Sequence, residues 1–109
     1  MSRRRLQAGH SVGPFLSDVE SLLTIGLPEA KAFSLALKSH APLEKLLGDE
    51  PDPDASLVTL LADAGQRAQL PALAQAARTV ELATRSGQTP AEALRAASAG
   101  FAPLGAPQA

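Results

Sequence analysis

The most regular apolar patterning in the chain lies between residues 57 and 87. It predicts two Leu/Ala-rich helices, 57–64 and 71–86, joined by a polar turn at 65–69. In the first, Leu57, Val58, Leu60, Leu61 and Ala64 leave almost no polar face, so this helix is expected to be the most buried of the chain. In the second, Leu73, Ala76, Ala77, Val80 and Ala83 form the inward stripe. Arg78, Glu81 and Arg85 fall at i, i+3 and i+7 on the opposite side, a self-paired solvent face.

The remaining periodicity predicts shorter helices. Phe15, Val19, Leu22 and Leu23 share one helical face. Their helix is expected to begin near Gly13 and Pro14, or at Ser17 with Glu20 completing a capping box, and to end at Gly26. Pro28 opens a second helix, with Glu29 in its first turn, Ala30, Phe33, Ala36 and Leu37 inward, and His40 near its end, where a cationic imidazole suits the helix dipole. Pro42 opens a third, with Leu43, Leu46 and Leu47 inward and Gly48 as its stop. Residues 49–54 hold four acids and two prolines and read as a stiff exposed loop between two helical halves, with Asp54 or Ser56 as the next N-cap. Thr89-Pro90-Ala91-Glu92 is a full capping box for a last helix, with Leu94 and Ala97 inward, Gly100 as its stop and Phe101 folded back on it.

The expected fold is therefore all-α: a small bundle of five or six short, Pro/Gly-punctuated helices in orthogonal or antiparallel packing. One helical domain, 13–101, is flanked by a flexible basic arm, 1–12, and a flexible tail, 102–109. Leu27-Pro28 and Ala41-Pro42 are echoed by Leu70-Pro71 and Thr89-Pro90, which points to antiparallel helix pairs.

Composition adjusts this picture. Aromatic residues are only 3% of the chain (Phe15, Phe33 and Phe101) against 45% apolar, so the core is built from Leu and Ala, with helices drawn close together. The net charge of −1 gives no overall attraction to nucleic acid or to an acidic membrane surface. The absence of Cys excludes disulfides and thiolate metal sites. No apolar run approaches the roughly 20 residues of a membrane span, and a cytoplasmic protein is the expectation.

Candidate chemistry is sparse. Gly9-His10-Ser11-Val12-Gly13 matches G-x-S-x-G and resembles the nucleophile elbow of α/β-hydrolases and acyltransferases, a resemblance that implies Ser11 as nucleophile. Such an elbow follows a buried strand and sits on a large sheet; here Arg3-Arg4-Arg5-Leu6-Gln7-Ala8 precedes it, and the only downstream histidine is His40. The acids of 49–54 lack the Gly and the Glu of an EF-hand loop, and two histidines without Cys do not close a zinc site. No P-loop or dinucleotide fingerprint occurs. The expectation is no enzyme, no cofactor and no metal.

Two function classes follow. The first is a non-enzymatic protein–protein interaction module (adaptor, chaperone, inhibitor or assembly subunit) that meets another protein chain or a second copy of itself as a homodimer, with no membrane and no small-molecule substrate. Its contact residues are read as Phe33, Leu37, Leu73, Val80 and Leu82. Leu82 falls off the inward stripe and is the single best apolar anchor, unless it packs on the last helix. The second class is a nucleic-acid-binding module. Residues 57–86 have helix-turn-helix order, and Arg3, Arg4 and Arg5 with Arg78 and Arg85 supply contacts to phosphate or to an acidic partner.

Overall fold

The computed structural model describes residues 3–48 and 51–99, the first seven of them as backbone alone. Among the described residues there are six α-helices and no strand: α1 Arg3–Thr24, α2 Glu29–Lys38, α3 Ala41–Leu47, α4 Leu57–Ala68, α5 Pro71–Arg85 and α6 Pro90–Ala99. The protein is an all-α bundle. Its core is one cluster of Leu, Ala, Val and Phe side chains, and no polar or charged residue is buried among those described. Phe15 and Phe33 meet edge to face at its centre, with ring centroids 5.2 Å apart.

The first helix starts ten residues earlier than its local signals suggest. Three arginines in a first turn oppose the helix dipole, and an interior proline removes a backbone donor. Burial overrides both. Val12, Phe15, Leu16 and Val19 fall on one face and are fully buried, while Pro14 is exposed, as is His10, whose carbonyl the proline ring deprives of its helical partner. A carbonyl facing water loses little by this. The resulting long helix packs against α2, α3 and α6, and its residues before Gly13 fall in the segment expected to be an arm.

The fourth helix also runs past its expected end. Gly65 is not a stop but the point of closest approach to α5: a Cβ placed there would lie 2.7 Å from the backbone nitrogen of Ala74 and 3.2 Å from its Cα. Nor is α4 apolar all round. It buries Leu57, Leu60, Leu61, Ala64, Gly65 and Ala68, while Thr59, Ala62, Asp63, Gln66 and Arg67 are exposed. Only Ser56, of the two caps considered, serves its start, its Oγ accepting from the Thr59 amide at 3.2 Å.

Three of the joints share one design. Leu27, Leu70 and Gln88 donate backbone N–H bonds to the carbonyls of Leu22, Gly65 and Ala83, five residues back, at 3.2, 2.9 and 3.1 Å. In each, the preceding residue is left-handed: Gly26, Gln69 and Gly87, with φ of 104°, 55° and 101°. These are Schellman caps, and Pro28, Pro71 and Pro90 follow within three residues. The recurring prolines mark this joint rather than a solenoid repeat. At the last of them the predicted capping box is fully formed, Thr89 N–H donating to Glu92 Oε1 at 2.9 Å and Glu92 N–H to Thr89 Oγ1 at 3.1 Å.

Longer-range polar contacts tie helices together within and across the two halves. Glu29 Oε1 accepts from the Leu57 amide at 2.6 Å, so the first residue of α2 caps α4 across the acidic loop. Arg67 Nη2 donates to the Leu47 carbonyl at 2.6 Å, tying α4 to the end of α3. His40, just past the end of α2, has its Nε2 2.7 Å from Asp18 Oδ2 on α1.

Candidate protein-binding surface

The bundle's own core takes most of the residues read as partner contacts. Phe33, Leu37, Leu73 and Val80 are all at least 95% buried. The stripe logic that singled them out as surplus underestimated how many Leu and Ala side chains six helices need to close on one another. Phe33 and Leu37 reach the surface only in the floor of a cleft of about 330 Å³ between α2, α3 and α4, whose polar wall includes the mutually bonded Asp63 and Arg67.

Leu82 is the exception. It is 64% exposed. On α5 it stands in the outward stripe Gln75, Arg78, Leu82, Arg85, every member of which is exposed. The spacing of three, four and three residues stacks them along one side of the helix. Arg78 and Arg85 therefore bracket Leu82, and Arg85 Nη2 also bonds Glu81 Oε2 at 3.1 Å, an exposed pair of small energetic weight. Ile25 is the other large exposed hydrophobic among the described residues, at 75%. Sequence reasoning passed it over. The available signal was its place just before the Gly26 stop and outside the Phe15, Val19, Leu22 and Leu23 stripe.

The two exposed residues belong to one end of the fold. Helix α5 ends three residues after Leu82 and turns into α6. The start of α6 faces the end of α1: Thr24 and Gly26, on either side of Ile25, line one cleft with Thr89, Pro90 and Ala91. Further along, Arg95 Nη2 meets Glu20 Oε2 at 3.2 Å.

The geometry of α4 and α5 differs from the helix-turn-helix expectation. Val58 near the start of α4 shares a groove with Glu81 near the end of α5, and Gly65 meets Ala74 near the start of α5. The two lie antiparallel along their length, whereas a DNA-reading pair crosses at about 90–120°. The small residues Ala64, Gly65, Ala68, Ala74, Ala76 and Ala77 permit that closeness. The side chains of Arg3, Arg4 and Arg5 lie outside the described residues.

The catalytic motif finds no support in the backbone. Ser11 sits inside α1, with helix on both sides, not on a strand-to-helix turn. Among the described residues no three His, Cys, Asp or Glu side chains are grouped to hold a metal ion, and no helix is long and apolar enough to cross a membrane. Comparison with protein-family models, with curated proteins and with solved structures finds no match.

Proposed function

We propose that this chain is a non-enzymatic protein-interaction module that docks through the outward face of α5, with Leu82 as its apolar anchor. The observation that carries this reading is a leucine left 64% exposed between two exposed arginines, in a chain whose other leucines are buried or half-buried throughout the described residues. An apolar side chain framed by charge is the arrangement of a contact centre with a polar rim. The complementary surface is an apolar recess edged by carboxylates, since Arg78 and Arg85 would each gain a partner as Leu82 is covered.

A photo-crosslinking residue in place of Leu82, compared with the same residue in place of Gln75 about two turns away, tests this in cells. The expected outcome is a protein adduct specific to position 82. Equal labelling at both positions would sink the reading, and adducts to nucleic acid in place of protein would favour the second function class. Leu82→Ser is expected to change folding stability by no more than about 0.5 kcal/mol, as for an exposed site without special contacts, while removing the adducting partner in a pull-down.

A further inference from the structure

We infer that the recess receiving Leu82 belongs to a second copy of this chain: the cleft between the α1–α2 turn and the start of α6. The inference rests on the reading of α5 as the docking face. The cleft is a shallow, open depression of about 620 Å³, and its apolar wall is made by Leu23, Leu27, Pro28, Pro90 and Ala91. Glu29 and Glu92 stand on its rim. Each commits Oε1 to one backbone N–H, of Leu57 and of Thr89 respectively, and has no partner for Oε2 among the described residues. Arg95 also lines the cleft, but it is paired with Glu20. The rim therefore presents two carboxylates to whatever enters. Leu82 arrives between Arg78 and Arg85, the second of them already bonded to Glu81. Apolar knob meets apolar recess, and the flanking charges are opposite.

Two further features select a second copy. Leu82 precedes Thr89, the first cleft residue on its side, by only seven positions, so knob and recess share one end of the fold. That is the condition for a two-fold exchange in which each copy gives a leucine and receives one, a closed interface that leaves nothing over. The simpler alternative, α5 lying antiparallel on its own counterpart about Leu82, sets Arg78 of one copy opposite Arg85 of the other. Like charges there oppose it. Ile25, 75% exposed between the cleft residues Thr24 and Gly26, is covered in the same step.

The full chain contains no cysteine, so introduced thiols report a single contact. Light scattering over a range of concentrations is expected to give twice the 11.2 kDa chain mass at the high end, falling on dilution and with added salt. Leu82→Ser is expected to weaken that association by on the order of tenfold or more, as loss of a central anchor does. An oxidised equal mixture of a tagged Leu82→Cys chain and an untagged Ala91→Cys chain should form the mixed covalent dimer, with neither variant alone doing so. A monomer at every concentration overturns the second-copy inference; the adduct at position 82 then decides separately whether α5 docks on a different protein. A dimer that is indifferent to Leu82→Ser, or that cross-links through Leu82→Cys alone, overturns the exchange geometry.

Discussion

Helix α6 opens with reciprocal bonds between Thr89 and Glu92 and a proline at its first position. Helix α1, which packs along it, opens with three arginines and carries Pro14 in its interior. The start of α6 is specified by residues within four positions of each other. The extent of α1 is specified by what lies beneath it. An interior proline costs a helix about 3 kcal/mol, while full burial of a Val, Leu or Phe side chain contributes roughly 1.5–3 kcal/mol. Val12, Phe15, Leu16 and Val19, all fully buried, together outweigh the proline. Neighbouring helices in one core can thus be encoded in opposite ways, one by its caps and one by its partners.

The largest way to break this comparison is to remove the burial that sustains α1. Phe15→Ala deletes a fully buried ring that also packs edge to face on Phe33. It should lower the unfolding free energy by about 3–5 kcal/mol in urea titration, and a loss under 1 kcal/mol would show that α1 is not held by its core face. Pro14→Ala works in the other direction. Restoring the amide at an exposed interior position should raise stability by up to about 3 kcal/mol. An unchanged midpoint would mean that residues before Gly13 do not belong to a continuous helix.

A smaller effect tests the same contest at α4. On an open helix Gly65→Ala would gain about 1 kcal/mol; against the Ala74 backbone, 2.7 Å from the new Cβ, it should instead cost about 1–3 kcal/mol through the forced shift of α5. Stabilisation by this substitution would contradict the close helix contact. Smallest is Thr89→Ala, expected to cost about 1 kcal/mol by removing the N-cap of α6. Glu92→Ala combined with it should add little, since each half of a capping box depends on the other. If the two losses were fully additive, the reciprocal bonds would not be acting as a unit.

The same division explains which contact residues were legible. Phe33, Leu37, Leu73 and Val80 share with Leu82 the property of being apolar on a helix, and periodicity alone does not say how much of a stripe the fold consumes. Leu82 stood out because it lies off the inward stripe of α5, a local fact. The cleft that complements it is assembled from residues more than 60 positions apart, such as Leu27 and Pro90, and no pattern within either segment points to the other.

By itself the sequence determined the all-α class, the starts of α5 and α6, the cap at Thr89 and the stops at Gly26, Gly48 and Gly87. Each of these is a backbone hydrogen bond satisfied, or a φ angle permitted, within a few residues of its origin. The tertiary structure alone decided that α1 runs through Pro14, that α4 runs through Gly65, that Glu29 caps α4 across 28 residues, and that Leu82 is left uncovered. Those outcomes depend on which surface each helix meets. That is a balance of burial against local cost, and its terms come from opposite ends of the chain.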